Sequence, residues 1–427
     1  MRYSQPFATP TPPLGSYPRY INGNPVTGTE GSIPPATAFD EDQIEIVTVI
    51  QNAGLTPDHN DLTQLWQAIQ ALIGQKFITT PIVKKVHGAG ADFADLNAAF
   101  YWLSQYIITP SGFVTFMVAA GRWTYTNTVE LSHPNSVRIS IQGAALLGGS
   151  PDPSNMSVTG YHSGADGTNQ IVYMRSIYAT ELSFTGGVSG FLILRGGVSL
   201  RYLLITGSQT VASPPGSGVP GGFGVGSGLE CYDIVFIDGV SVWGFGAYGF
   251  YVQDGSIQCM TSLNCVVSYC HMGVWMNGGF VWLNCGNFIC TSNADSGITM
   301  FGGWWRSGQV YVAGNDSHSV NGYGAVTLEG GADFWAGAPD IYFNNSVGVY
   351  IEGSSNWVGE GGAYWYNNGG GFVATGGVSY VNNSGFSANG GYDIIAQGNA
   401  YVLATGSGFS STAPPINDLN YGAYIQV

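Results

Sequence analysis

The feature that most constrains this chain is a repeat. From Gly249 a short pattern recurs: a small residue, an apolar one, any residue, another apolar one, then a turn. It starts at Gly249, Gly273, Gly297, Ala325, Gly348, Gly371 and Gly391, at spacings of 24, 24, 28, 23, 23 and 20 residues. A second series of starts, Gly255, Gly279, Gly303, Gly331, Ser354, Gly377 and Gly398, trails the first by six or seven residues and takes the same insertion at the same place. Period-two alternation inside a segment and a period of 20–28 residues between segments predict a mostly β parallel solenoid. Helical repeats need about 10–12 consecutive periodic residues, and these segments are shorter. A β-sandwich would not keep equivalent positions in register over seven repeats. One coil cannot bury its own apolar face, so its neighbours above and below must do it.

Aligning the coils gives columns. The first inward column reads Phe250, Val274, Ile298, Val326, Val349, Phe372 and Tyr392, and the second Val252, Met276, Met300, Leu328, Ile351, Ala374 and Ile394. Between them Tyr251, Trp275, Thr299, Thr327, Tyr350, Val373 and Asp393 are mixed and are expected to face out.

Composition fits such a body. Of 427 residues 65 are Gly and 20 Pro, 44% are hydrophobic and only 9% charged, which excludes a disordered chain. No Gly-X-Y period is present, which excludes collagen. No apolar run is long enough to span a bilayer, and the N-terminus lacks an apolar signal core, so no membrane insertion is expected. The net charge is -15, and after Arg201 the only basic residue is Arg306, against thirteen acids. Binding to nucleic acid requires a basic surface that releases counterions, and none is expected here. All six cysteines fall between Cys231 and Cys290 without a C-x2-C pair or a His partner. Buried free thiols suited to a reducing cytoplasm, disulfides and a metal site are the three readings open to them.

The chain divides into zones. Residues 1–38, rich in Pro, Gly, Thr and Ser, read as an extended arm. Residues 39–80 hold a helical hairpin: Asp40 and Gln43 form a capping box, Ile44, Val47 and Ile50 follow at helical spacing, and Gly54 stops the run. Thr56, Pro57 and Asp58 restart it, with Leu62, Leu65, Trp66, Ile69, Leu72 and Ile73 as an apolar stripe. So short a unit has too small a core to stand alone, and oligomerisation or docking onto a partner is expected. Residues 81–143 form the entrance to the solenoid. There Asp92 is expected to cap a helix with Phe93, Leu96, Ala99, Phe100, Leu103 and Ile107 on its apolar face, placed to cover the open N-terminal end. Strands are expected at 114–118 and 137–141. The shaft runs over 144–408 with a Gly/Pro excursion at 206–228, and 409–427 is a short tail with a last possible strand at 421–427.

Two sets of side chains are candidates for chemistry. Three places after each second start stand Gln258, Trp282, Arg306, Phe334, Trp357, Tyr380 and Tyr401. Their neighbours Cys259, Leu283, Ser307, Trp335, Val358, Val381 and Val402 suit the interior, so the aromatic column is expected to face out. Such a ladder is either an interface with another subunit or a platform on which sugar rings stack. Glu329 and Glu352 share one turn column, with Gln253, Asn277, Phe301, Thr375 and Ala396 elsewhere. Adjacent coils lie about 4.8 Å apart, and two carboxylates at roughly 5 Å are spaced as nucleophile and acid of a retaining glycosidase. Repulsion between them would raise one pKa. The plainer alternative is a pair of solvated turn residues that splay apart. Asp333 and Asp340 widen the choice, and Asp233, Asp238 and Asp254 form a second acidic group. His271 and His318 read as turn residues, and the Asn-rich corners (Asn344-Asn345, Asn367-Asn368, Asn382-Asn383) as turns with left-handed backbone or stacked amides. No phosphate loop, dinucleotide fingerprint or calcium loop is present, and no cofactor is expected.

The sequence resembles bacteriophage tail spikes and short tail fibres. Gly28-Thr29-Glu30-Gly31-Ser32-Ile33-Pro34-Pro35-Ala36, with Gly54-Leu55-Thr56-Pro57-Asp58 and Asp61-Leu62-Thr63-Gln64-Leu65, looks like the N-terminal segment of phage tail-fibre proteins. Gly88-Ala89-Gly90-Ala91-Asp92-Phe93, with Leu96-Asn97-Ala98-Ala99, looks like the start of the pectate-lyase-like, right-handed parallel β-helix of spikes. The likeness covers 22–143 by motif and the remainder by architecture. It implies a homotrimer made in the host cytoplasm and carried on the virion. Residues 1–75 would dock on a tail or baseplate protein, and the β-helix would bind a host surface polysaccharide. A polysaccharide depolymerase (glycoside hydrolase or lyase) on the same scaffold is the alternative; a bacterial solenoid adhesin is disfavoured by the missing secretion signal.

Overall fold

The computed structural model describes residues 26, 37–58, 60–73, 76–156, 164–208, 226–259, 263–315, 324–367, 370–387, 389–390, 392–409, 416–417 and 422–427. Most of the expected arm at 1–38, most of the 206–228 excursion, His318 and Asn368 lie outside these residues. The chain divides into two units, 1–77 with 105–107, and 78–104 with 108–427.

The first unit holds two helices, α1 (Thr37–Asn52) and α2 (Gln64–Ile73). Gly54 sits at φ +77°, a left-handed residue just past α1 of the kind that ends helices. The Gln64 side chain closes the turn: its Nε2 donates to the Thr56 carbonyl (2.7 Å) while its Oε1 accepts from the Asp58 N–H (2.7 Å). Ile50 and Ala68 are buried, but Ile44 (63%), Trp66 (56%) and Leu72 (50%) stay exposed.

The second unit is a right-handed parallel β-helix. Each coil contributes a strand to three successive sheets. In one coil these are 280–283 and 287–291, two parts of the bent strand Phe280–Thr291, followed by Ile298–Phe301. All pairings between coils are parallel, and the third sheet alone has eleven strands. Phe250, Val274, Ile298, Val326, Val349 and Phe372 stand one on another, as do Val252, Met276, Met300, Leu328, Ile351 and Ala374. All are buried, and each except Ala374 stabilises the stack by roughly 1.5–3 kcal/mol of apolar burial. The column continues N-terminally through Leu229 and Phe191 to Val129, rungs that the repeat did not reveal. At its C-terminal end it corrects the alignment by two residues. Phe372 pairs with Ile394 and Ala374 with Ala396, so Tyr392 is exposed and Asp393 is buried. The last described strand, Tyr424–Gln426, pairs with 401–403.

The small residue at each start is a contact requirement. A Cβ on Gly273 would stand 2.4 Å from the Gly297 carbonyl oxygen and 2.2 Å from Cys290 Sγ. Between the second and third sheets five successive coils turn through a left-handed residue: Tyr269, Ser292, Gly314, Phe343 and Tyr366 all have φ between 52° and 63°. After four of these corners comes a buried asparagine, and the amides of Asn293, Asn315, Asn344, Asn367 and Asn389 hydrogen-bond in series. Stacked amides were one of the expectations for the corners at Asn344 and Asn367; at Asn382-Asn383 the other holds, with Asn383 left-handed at φ 53°.

The entrance differs from expectation in its cap. Helix α3 spans Leu96–Leu103, and its N-cap is Asp95, whose side chain accepts from the Ala98 N–H. Asp92 instead binds the Lys84 ammonium (2.9 Å) and the Lys85 N–H (2.8 Å), and Ile107 lies in the strand Tyr106–Ile108. α3 lies against Val129–Ser132, the end strand of the third sheet, and Phe100 packs edge-on against Phe116 at 5.6 Å. Residues 136–138 form a 3-10 turn, and the strand there begins at Ile139. A further helix, α4 (Gly164–Ile177), has no counterpart in the sequence reading. It covers the outer face of the second sheet, with Ile171, Met174 and Ile177 packed in a cluster with Leu204, Trp243, Val266 and Ile289. Arg175 clamps the helix down by a bidentate pair with buried Glu181 (2.8 and 2.9 Å).

Five of the six cysteines, Cys231, Cys259, Cys265, Cys270 and Cys290, are buried and unbridged.

Candidate functional site

The outer face of the first sheet carries two columns of side chains. One runs Ser256, Phe280, Trp304, Asp333, Asn356, Val378, Tyr401 and Tyr424; the other runs Gln258, Trp282, Arg306, Trp335, Val358, Tyr380, Leu403 and Gln426. The sequence placed Trp282, Arg306 and Tyr380 correctly. Phe334 and Trp357 were expected outside and are inside, 2% and 0% exposed, stacked in line with Trp305 at 5.5 and 4.5 Å. Trp335 and Val358, expected inside, take their places outside. Tyr401 faces out, but in the other column, stacked 5.6 Å from Tyr424.

The reason is turn length. The turns at 254–255, 278–279, 302–303 and 376–377 have two residues, while those at 330–332, 353–355 and 398–400 have three. Counting a fixed offset across a three-residue turn slips the register by one, and a one-residue slip moves a side chain to the opposite face.

Between these columns lies a groove of ≈ 650 Å³ lined by Phe280, Trp282, Trp304, Arg306, Asp333, Trp335, Asn356 and Val358, with Trp305 and Phe334 beneath. Trp304 is 63% and Trp335 41% exposed. The Arg306 guanidinium lies 4.9 Å from the Trp335 ring centre and 6.0 Å from that of Trp282, within cation–π range. At the groove's other side Asn356 Nδ2 donates to Asp333 Oδ1 (2.6 Å). Flat rings flanked by an amide, a carboxylate and a guanidinium can hold a ligand with an apolar face and hydroxyl edges, and the sheet beneath keeps them in place.

Glu329 and Glu352 occupy one column in adjacent coils, next to the Leu328–Ile351 pair. Glu329 is half-buried and Glu352 exposed. Desolvation raises the Glu329 pKa above its ordinary value, and the Glu352 charge adds to it. The Tyr350 hydroxyl approaches Glu352 Oε2 at 3.5 Å. In the last coil the equivalent residue is Gln397, one beyond the expected Ala396, because Ala374 pairs with Ala396. Asp333 joins the groove, whereas Asp340 lies on the second sheet beside Tyr311, its pKa raised by burial.

Asp233, Asp238 and Asp254 do not converge. Asp233 accepts from the Gly196 and Ile234 N–H groups, and Asp238 is buried against Arg201 at 3.3 Å. Asp254 takes a left-handed turn position. His271 lies buried at the corner between the second and third sheets. Among the described residues no cluster of His, Cys, Asp or Glu is arranged to hold a metal ion.

A second groove, of ≈ 480 Å³, was missed by sequence reasoning. Its wall is residues 150–154 and its floor Asn264, Asn287, Tyr311 and Tyr342. Its wall is tied to α4 by the Asp152 N–H, which donates to the Tyr173 hydroxyl at 2.8 Å, and the only sequence signal of α4 is the brief i, i+3, i+6 spacing of Ile171, Met174 and Ile177.

No family model matches this chain, and no curated protein matches it. Among solved structures it is similar to ORF18 of Geobacillus virus E2 (14% identity, TM-score 0.36), covering 93% of this chain and 66% of that one, so this chain spans about two thirds of that protein's length. It is also similar to the A-module of the mannuronan C-5 epimerase AlgE4 of Azotobacter vinelandii (12% identity, TM-score 0.34, 78% of this chain and 91% of that one). A third similarity is to the catalytic domain of a GH87 α-1,3-glucanase (14% identity, TM-score 0.33, 81% of this chain and 68% of that one). At such identities the likeness concerns the fold alone.

Proposed function

We propose that this protein is a host-attachment spike or short fibre of a bacteriophage tail, and that its β-helix binds a cell-surface polysaccharide in the groove of the first sheet. The observation that carries the binding reading is the pair Trp304 and Trp335, two large rings left exposed on a rigid sheet, one two residues before Arg306 on its strand and the other paired with Arg306 on the next. Leaving such rings in water costs solubility and is explained by a ligand that covers them. Pyranose C–H faces fit flat rings, while Asp333 and Asn356 offer an acceptor and donors to ring hydroxyls. The viral part of the reading rests on the tail-fibre-like motifs at 28–36, 54–58 and 61–65.

The helical unit supports assembly as a homotrimer docked through residues 1–75. Ile44, Leu65, Trp66 and Leu72 leave its apolar surface open in the single chain, as a unit too small for its own core requires. The decisive experiment is a glycan array probed with the purified protein and with Trp335→Ala, alongside native mass spectrometry. Selective binding lost in the variant, with a trimer mass, supports the reading. Binding unchanged in Trp335→Ala removes the groove from it, and a monomer at micromolar concentration removes the trimer.

The depolymerase reading is favoured by one observation, the raised pKa of Glu329 next to Glu352, since an acid catalyst must hold its proton near neutral pH. Shortening of a bound polysaccharide, abolished by Glu329→Gln, would establish it. Unchanged polymer length with retained binding would dismiss it.

A further inference from the structure

We infer that the groove selects a glycan carrying isolated carboxylates, an acidic sugar set between neutral ones, and that Arg306 is the residue that reads the acid. This rests on the glycan reading of the groove and deepens it.

The first observation is scarcity. Beyond Arg201 the chain has one cation, Arg306, and thirteen acids, yet that cation stands among the groove's aromatic rings. The second is its lack of a partner. Arg122 and Arg175 bind Glu181, Arg201 binds Asp238, Lys84 binds Asp92, and Arg138 donates to the Pro110 carbonyl; among the described residues Lys76, Lys85 and Arg195 have no carboxylate within 4 Å either, but they lie outside the groove. No carboxylate lies within 4 Å of Arg306 among the described residues, and its contacts are the rings of Trp282 and Trp335. Ring contacts fix the position of a guanidinium without supplying an oxygen to its five N–H donors. A neutral sugar would need only rings, Asp333 and Asn356. A planar, bidentate donor beside a stacking platform is instead suited to the carboxylate of an acidic pyranose.

The third observation limits the ligand's charge. Asp333 lines the groove, and one three-residue turn separates it from Glu329. With a net charge of -15 the surface repels a continuous polyanion. One carboxylate per groove can be matched by one arginine; a run of them cannot.

The test uses the full chain in titration calorimetry with three probes of equal length. They are a hyaluronan octasaccharide (glucuronate alternating with N-acetylglucosamine), the same octasaccharide with its carboxyls reduced to alcohols, and an octagalacturonate. The expected result is at least tenfold tighter binding of hyaluronan than of its reduced form, with octagalacturonate weaker than hyaluronan at 50 mM salt and the gap narrowing at 300 mM. Arg306→Gln should remove the preference for the carboxylate, so that the hyaluronan octasaccharide and its reduced form bind the variant with equal affinity. Arg306→Lys should keep part of it. Equal affinity for both hyaluronan forms, lost in Trp335→Ala, would overturn the inference and leave the glycan groove standing. Tightest binding of octagalacturonate would overturn the isolated-acid requirement. Binding of none of the three would remove the groove reading and this inference together.

Discussion

Asn344 and Asn367 are 23 residues apart in sequence and in direct contact in space: Asn344 Nδ2 donates to Asn367 Oδ1 at 2.9 Å. Asn344 Nδ2 also reaches the Val312 carbonyl (3.2 Å), and Asn344 Oδ1 accepts from both the N–H (3.0 Å) and the Nδ2 (3.1 Å) of Asn315. One buried side chain therefore satisfies groups on three successive coils. Asn344→Ala would leave the Asn315 N–H and amide without their acceptor, at about 1–3 kcal/mol for each buried donor. The expected result is a loss of about 3 kcal/mol in denaturant unfolding. Asn344→Asp should do at least as much harm, because it sets a carboxylate against the Val312 carbonyl.

The inner and outer aromatic residues of one strand make opposite predictions. Phe334 is buried between Trp305 and Trp357, so Phe334→Ala should cost about 3–5 kcal/mol through lost burial and a cavity. Its neighbour Trp335 stands outside, so Trp335→Ala should cost less than about 1 kcal/mol of stability while weakening groove ligands tenfold or more. Thermal melts and ligand titration on both variants check this. The reverse pattern would mean that the strand register is wrong.

That pair also marks how far the sequence could be read. The solenoid was legible because its rule is local and repeated: Val274, Ile298 and Val349 must be apolar, and Gly273 has no room for a Cβ. The aromatic groove was legible only in part. Trp282 and Arg306 follow two-residue turns and came out on the right face, whereas Phe334 and Trp357 follow three-residue turns whose extra residue leaves no trace in an apolar pattern; Tyr401 is displaced by two residues, which keeps it outside but moves it to the other column. The α4 excursion was not legible at all. Its sequence has no strong periodicity, and its helix is held by tertiary contacts, Arg175 on Glu181 and Met174 on the sheet beneath.

The five thiols seen to be buried should be inert in the folded protein. Desolvation pushes Cys231 and Cys270 up to about 12 and Cys290 well above its ordinary range, so almost no thiolate is present at pH 8. Treatment of the native protein with N-ethylmaleimide should leave Cys231, Cys259, Cys265, Cys270 and Cys290 unmodified over an hour, as read by peptide mass. Denaturation should expose all five to complete labelling. Rapid native labelling at any of them would contradict its burial.

The entrance should weaken in mild acid. His87 stacks on Trp123 at 4.4 Å, and its Nε2 lies 2.7 Å from the Tyr125 hydroxyl. Desolvation lowers its pKa below the ordinary 6.5, so the folded state holds it neutral. Below pH 6.5 the unfolded chain takes up this proton and the folded chain resists it, so stability present above pH 6.5 falls as pH drops toward the folded value. The carboxylates held low, Asp61, Asp92 and Asp152, act below 3.8, whereas Glu329 and Asp340, raised by burial, pull the other way as pH falls, so the His87 contribution is read as the difference in slope between the native chain and His87→Asn. The midpoint of unfolding should fall between pH 7 and 5. In His87→Asn, which tolerates the left-handed backbone at φ 61°, that slope should flatten even though the variant is less stable at pH 7.

Glu329 works in the opposite direction. Its folded pKa is raised above 4.5, first by desolvation and then by the Glu352 charge, so the ionised form burdens the folded state at neutral pH. As pH falls through the folded value, the native protein takes up the proton first and the cost shrinks; below 4.5 it is gone, since both states are then protonated. Glu329→Gln removes the charge and both causes, so it should raise the melting temperature at pH 7 and leave it unchanged at pH 3.5. Glu352→Gln removes only the second cause and should give a smaller rise at pH 7. Melts of both variants across pH 3.5–7 read this ordering directly. A larger gain from Glu352→Gln would show that repulsion between the two carboxylates, and not burial, sets the titration of Glu329.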